Sequence, residues 1–182
     1  MFLRYYAGTP LWALKILSLT PVFLGYVFGI IDRNQVKAYV IRRFFKNQPV
    51  DKVQSKAREF AEKIIPGLIR PDAQSHLDAL QSRGQTLYLC SASISPYLNF
   101  WASSQNIQHV LATEMEENDL RYTGEIAGWN IWGAGKVRRI YDHFGSETVR
   151  ILEAFGDSRG DKEMLHAADV SHWRPFRLTA CE

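Results

Sequence analysis

The chain has 182 residues, of which 46% are hydrophobic and 23% charged, with ten Phe, eight Tyr and five Trp. This composition excludes a disordered chain and supplies the apolar side chains for one domain carrying one insertion. A formal charge of +3 is too small to indicate nucleic acid as a partner. The two cysteines, Cys90 and Cys181, form no CxxC, which excludes a disulfide framework or a cysteine-rich zinc site and points to a reducing, cytoplasmic setting. The positive charge is uneven: from Asp32 to Lys63, nine Lys/Arg stand against four Asp/Glu.

Leu11 to Ile31 is an apolar run with one charge, Lys15, and is long enough to span a bilayer. Lys15, Pro21, Gly25 and Gly29 interrupt it, and no small-x-small cleavage site follows. Two short helices divided near Thr20-Pro21, packed on each other or on a neighbour, are expected. Interfacial membrane contact through residues 11–31 and a true span are the alternatives, because Arg33, Lys37, Arg42 and Arg43 flank the run. Asn34 to Asn47 reads as an amphipathic helix with Val36, Tyr39, Val40 and Phe44 on one face. Val53, Ala57, Phe60, Ala61 and Ile64 form a second stripe, stopped by Pro66-Gly67, and a third helix from Pro71 to Arg83 ends at Gly84.

The pattern then changes. Thr86 to Cys90 is a short apolar run suited to a buried parallel strand, and His109 to Ala112, Ile151 to Phe155 and Val170 to Trp173 read as further short strands. Leu120 to Ile126 around Gly124 reads as one arm of a hairpin. Helices are expected from Ser95-Pro96, with Ser95 as N-cap, over Lys136 to Phe144, and from Asp161 to Ala168. Alternating strand and helix predict an α/β fold with a parallel sheet, all-helical over residues 1–69 and α/β over residues 70–182.

Ligands of open α/β sheets bind beyond the carboxyl ends of strands, and two such ends carry chemistry here. Ser91-Ala92-Ser93 places small hydroxyl residues before a helix N-terminus, where hydroxyls and backbone N–H groups hold an anion or form an ordinary cap turn. Gly156-Asp157-Ser158-Arg159-Gly160-Asp161 puts two carboxylates four residues apart in a loop, suited to a hard cation or to a turn and cap. Between them, Gly133-Ala134-Gly135-Lys136 starts a helix with a lysine. It is not a P-loop, since the spacing is wrong and Val137 follows the lysine. The histidines at 76, 109, 143, 166 and 172 show no ligand spacing.

In this order the three sites resemble the haloacid dehalogenase (HAD) superfamily, specifically subfamily IB hydrolases related to phosphoserine phosphatase. LYLCSAS resembles the strand ending in the phosphate-binding serine, GAGKVRRI the segment of the phosphate-binding lysine, and AFGDSRGDKEML the acidic metal loop. The helical first third resembles the inserted cap. The resemblance implies a Mg²⁺-dependent phosphomonoester hydrolase with a Rossmannoid parallel sheet. Its catalytic set would be Ser91, Lys136, Asp157 and Asp161. Phosphate would be held by Ser91, Ala92, Ser93 and Lys136, and Mg²⁺ by Asp157 with support from Asp161. The implied partner is a small phosphorylated metabolite, one with an apolar tail if Trp12, Phe23, Tyr26 and Phe28 line the cleft.

The family's nucleophile and general acid lie in a DxDxT motif on the central first strand, and no aspartate of this sequence begins a DxD. The resemblance therefore implies that this strand lies outside the chain as written, and that the 182 residues alone do not turn over substrate. It also implies a gap between the strands ending at Ser91 and Asp157, their collapse onto each other, or a strand lent by another copy in a homo-oligomer. A catalytically dead phosphate-binding module and a membrane-associated interaction protein are the competing readings. The cap's apolar segment is expected to be mostly buried over the cleft.

Overall fold

The computed structural model describes residues 1–145 and 149–177; Cys181 lies outside them. The first third is helical: α1 (Phe2–Ala7), α2 (Thr9–Leu17), α3 (Thr20–Val27), α4 (Arg33–Phe45) and α5 (Val50–Lys63), then a 3₁₀ turn over Ile65–Leu68. Asp32 fixes the start of α4, since its Oδ1 accepts from the Gln35 amide at 2.9 Å while Gln35 Oε1 accepts from the Asp32 amide at 2.8 Å. Along α5 the expected stripe is the buried one, with Val53, Ala57, Phe60 and Ala61 turned inward.

The buried face of α4 is the expected one only in part: Phe44 is buried and Val40 packs on the core as expected. Ile41, Phe44 and Phe45 are inside, whereas Tyr39 is exposed. The cause is an aromatic cluster drawn from distant elements. Phe45 stacks on Phe2 with centroids 6.3 Å apart and meets Tyr6 at 5.3 Å and Tyr122 at 6.4 Å; Phe2 meets Phe60 edge-on at 5.2 Å. Ile94, Met115 and Tyr122 belong to the same core, so the helical third packs directly on the sheet.

The remainder runs α6 (Pro71–Ser82), β1 (Tyr88–Ile94), α7 (Ser95–Ser104), β2 (His109–Asn118), β3 (Arg121–Ala127), α8 (Ala134–Phe144), β4 (Ile151–Gly156), α9 (Lys162–His166) and β5 (Ala168–Trp173). Ile94, not Ser95, is the residue preceding the first turn of α7, and no side chain caps that helix. β1 and β2 pair in parallel, β2 and β3 antiparallel, and β4 and β5 in parallel. The register of β1 on β2 is irregular between Ser91 and Ile94. The strands form two separate sheets, β1-β2-β3 and β4-β5. β1 and β4 are unpaired, so of the three arrangements expected for their edges the collapse of one onto the other is not seen.

The apolar run departs from expectation. It does form two helices, bent by 51° at the break, but only Leu19 within it is buried. Trp12 and Ile16 pack inward on the aromatic core, while Leu17 (69%), Val27 (75%), Phe28 (74%) and Ile30 (78%) are largely exposed. Helices of nine and eight residues offer too few inward positions to bury so apolar a sequence against one neighbour. No single helix among the described residues is long and apolar enough to cross a membrane.

α4 is tied to the sheet by one polar group. Lys37 Nζ donates to Thr113 Oγ1 at 2.5 Å, to Asn130 Oδ1 at 2.6 Å and to the Ala92 carbonyl. Thr113, fully buried, also accepts from the Ile131 amide at 3.3 Å. Burial pushes the Lys37 ammonium from 10.5 down to about 7. Between these values the unfolded chain binds more protons than the folded one, so stability rises with pH; the contribution is complete above about 10.5 and lost as pH falls through about 7.

Two outcomes follow. Phe45→Ala should cost about 3–5 kcal/mol in urea unfolding, and a loss below about 1 kcal/mol would show that the aromatic cluster is not the core. Lys37→Met should flatten the rise of unfolding free energy between pH 7 and pH 9.5 relative to the wild-type chain. An unchanged slope would show that Lys37 titrates normally.

Candidate active site

The loop after β4 is built around Asp161. Its Oδ2 accepts from the Ser158 amide at 2.8 Å, the Ser158 hydroxyl at 2.7 Å and the Asp157 amide at 3.2 Å. Its Oδ1 accepts from Lys136 Nζ at 2.6 Å, and both side chains are buried, at 6% and 8% exposure. Desolvation alone would raise the Asp161 carboxyl, but the bonds from Lys136 and Ser158 outweigh it and hold the group below the usual carboxylate range. The glycines of the loop are required by close approach. A Cβ on Gly156 would lie 2.5 Å from Asp161 Cβ, and one on Gly160 would lie 2.4 Å from the Trp132 indole nitrogen.

Lys136, near the start of α8, also donates to the Cys90 carbonyl on β1 at 2.7 Å. It therefore joins the carboxyl end of one half-sheet to the loop leaving the other. A cleft of about 250 Å³ opens between them, lined by Arg70, Cys90, Lys136, Asp157, Asp161 and Arg174 among others. The Asp157 carboxylate is half-exposed there, with Oδ2 3.4 Å from Arg177 and 3.7 Å from Arg70. Arg174 and Arg177 also donate to the Asp157 carbonyl, at 3.2 and 3.3 Å. Three cations on the lining against two carboxylates, one of them already engaged by Lys136, leave a positive site suited to an anion.

Lys136, Asp157 and Asp161 are thus brought together. Ser91, Ala92 and Ser93 follow Cys90 along β1 but do not line this cleft: Ser91 Oγ accepts from the Ser93 amide at 3.1 Å, and the Ala92 carbonyl is taken by Lys37. Nor do Trp12, Phe23, Tyr26 or Phe28 line it. Sequence reasoning missed Arg70, Arg174 and Lys37. None sits in a motif, and only the folded chain brings them to the ends of β1 and β4.

Cys90 is the nucleophilic side chain on the cleft wall, but burial pushes its thiol up to about 11, which leaves it protonated and unreactive near neutral pH. Among the described residues no three His, Cys, Asp or Glu converge as a metal cage. Asp157 nevertheless offers a carboxylate beside a cationic cleft, while both Asp161 oxygens are engaged within the loop. With Asp157 Oδ2 facing Arg70 and Arg177, its Oδ1 is the oxygen that fits Mg²⁺, which keeps several waters and takes phosphate oxygens for the rest.

A family model described as haloacid dehalogenase-like hydrolase matches residues 1–166. Protein CicA of Caulobacter vibrioides is 35% identical over 177 residues, covering 97% of this chain and 78% of that protein. A probable phosphatase of Mycobacterium tuberculosis is 30% identical over 137 residues, covering 72% of this chain and 47% of that protein. In fold, the chain is similar to the crystal structure of a probable phosphoserine phosphatase from Vibrio cholerae, with a TM-score of 0.68 at 16% identity, over 94% of this chain and 49% of that one. With the family model spanning most of its length and the lysine and acidic-loop segments converging on one cleft, the chain belongs to the haloacid dehalogenase-like hydrolases.

Proposed function

We propose that the chain forms the cap (residues 1–69) and most of the core (residues 70–182) of a Mg²⁺-dependent phosphomonoester hydrolase of subfamily IB, acting on a small phosphorylated metabolite. The observation that carries this reading is the buried Lys136–Asp161 pair at the mouth of a cationic cleft. Lys136 would neutralise charge on the transferring phosphoryl oxygens, held in place by Asp161 instead of by solvent. Arg70 and Arg174 would orient the remaining phosphate oxygens, and Ser91 would donate a hydrogen bond after turning from the Ser93 amide. Asp157 would hold Mg²⁺, which supplies charge neutralisation on the phosphoryl group and orders its waters. Asp161 supports this by bracing the loop rather than by direct ligation.

The nucleophile is the remaining part. Cys90 is protonated, and no other group lining the cleft combines nucleophilicity with a base to activate it. A parallel strand carrying DxDxT, supplied from outside these 182 residues, would fill the gap between β1 and β4. It would bring the attacking carboxylate, and the acid that protonates the leaving alcohol, beside Lys136. The separation of the two half-sheets supports this placement.

The test is para-nitrophenyl phosphate hydrolysis with Mg²⁺. The 182-residue chain should show no turnover, since general-acid catalysis alone is worth about 10²–10⁴-fold and the nucleophile more. A chain preceded by a DxDxT-bearing strand should hydrolyse the ester, and Asp157→Asn or Lys136→Ala should abolish that activity. Turnover by the 182 residues that falls with Lys136→Ala would place the nucleophile within this chain. Phosphate binding without turnover in the extended chain would favour the binding-module reading.

A further inference from the structure

The exposed apolar surface of the bent α2–α3 pair is not explained by the cap's core. α2 already commits Trp12 and Ile16 to that core, yet turns Leu11, Leu14 and Leu17 to the opposite side. α3 and the turn after it add Leu24, Val27, Phe28 and Ile30, so this short stretch concentrates exposed large apolar side chains.

The charges around it are of one sign. Residues 1–50 contain seven Lys/Arg and one acid, Asp32, while the rest of the chain carries more acids than bases. Asp32 is committed to capping α4. Arginines are fixed at both ends and at the break of the helix pair: Arg4 donates to Thr9 Oγ1 at 3.1 Å, Arg43 to Ser18 Oγ at 2.7 Å and Arg33 to the Tyr26 hydroxyl at 3.3 Å. Each bond uses part of a five-donor guanidinium and leaves donors for an external oxyanion. An apolar face rimmed by arginines and without acids complements a surface that is apolar inside and anionic at its boundary. Two copies of this face would instead bring the same arginines together.

We propose that the bent α2–α3 helix pair docks this chain onto the surface of an anionic lipid bilayer, with Leu14, Leu17, Val27 and Phe28 entering the headgroup–acyl boundary and Arg4, Arg33 and Arg43 meeting lipid phosphates. The pair lies along the membrane surface, and neither helix is long enough to cross it alone. Helices of nine and eight residues rise about 14 and 12 Å, against a hydrocarbon core of about 30 Å, and they bend by 51° at the break. One rim arginine also reaches toward the acidic loop: Arg33 lies over the Trp132 ring at 4.6 Å, and Trp132 packs against Gly160. Docking is independent of whether the cleft hydrolyses phosphate.

Co-sedimentation of the 182-residue chain with vesicles tests this. Vesicles of phosphatidylcholine containing about one-third phosphatidylglycerol should pellet the chain, and pure phosphatidylcholine vesicles should pellet much less. Raising salt from about 0.1 to 0.5 M should weaken the anionic binding several-fold. Leu17→Glu/Val27→Glu/Phe28→Glu should reduce it at least about tenfold, with circular dichroism and melting temperature unchanged because all three side chains are exposed. Arg33→Gln/Arg43→Gln should reduce binding to anionic vesicles only. Failure to pellet with anionic vesicles, or pelleting unaffected by the triple variant, overturns the proposal. So does a dimer in sedimentation equilibrium that the triple variant dissociates while vesicles do not bind, which would assign the face to a second copy.

Discussion

The contact between Lys136 and Asp161 is the one on which the site depends. With β1 and β4 unpaired, the two half-sheets have no shared ladder among the described residues. Lys136 reaches from α8 to the Cys90 carbonyl on one side and to Asp161 on the other, and so fixes their separation. Asp161 in turn gathers the amides of Asp157 and Ser158, which fixes the loop backbone from which the Asp157 carboxylate projects. A buried ion pair is weak evidence of net stability, because desolvation offsets much of the Coulomb attraction. Its value here is positional: a charged amine held beside an anion-binding cleft without solvent reorganisation.

The helical third is fastened to this framework in two ways. The aromatic core joins Phe2, Phe45 and Phe60 to Tyr97 and Tyr122 on the α/β side. The Lys37 contacts then pin α4 to the irregular end of β1, next to Ser91 and Ser93. Packing supplies most of the energy, whereas the polar contact fixes α4 relative to the strand end. The bent α2–α3 pair takes little part in either connection, which leaves its outer face exposed.

Order and type of elements were legible in the sequence wherever one signal dominated. The α5 stripe repeats at helical spacing, and the short apolar runs of β1, β2, β4 and β5 are bounded by turns, so each is found within a few residues. The lysine and the acidic loop were legible because their residue types and order match a family pattern. What failed depended on partners distant in sequence. The α4 face was partly misread because Phe45 is drawn inward by Phe2 and Tyr122, which spacing within α4 does not reveal. Burial of residues 11–31 was misjudged for the same reason, since hydrophobicity shows that a surface seeks a partner and not that the chain supplies one. Arg70, Arg174 and Lys37 carry no local signature. They reach the strand ends only through the crossing of α4 over the sheet and the turns before α6 and after β5.

A double-mutant cycle on the Lys136–Asp161 pair, read by urea unfolding, tests the central claim directly. Lys136→Met and Asp161→Asn should each cost about 3–5 kcal/mol, because each leaves the other group buried without its partner. The combined variant should cost clearly less than the sum, with a coupling of roughly 2 kcal/mol or more. Single losses that add to within about 0.5 kcal/mol would contradict the claim and show that the cleft is held by other contacts.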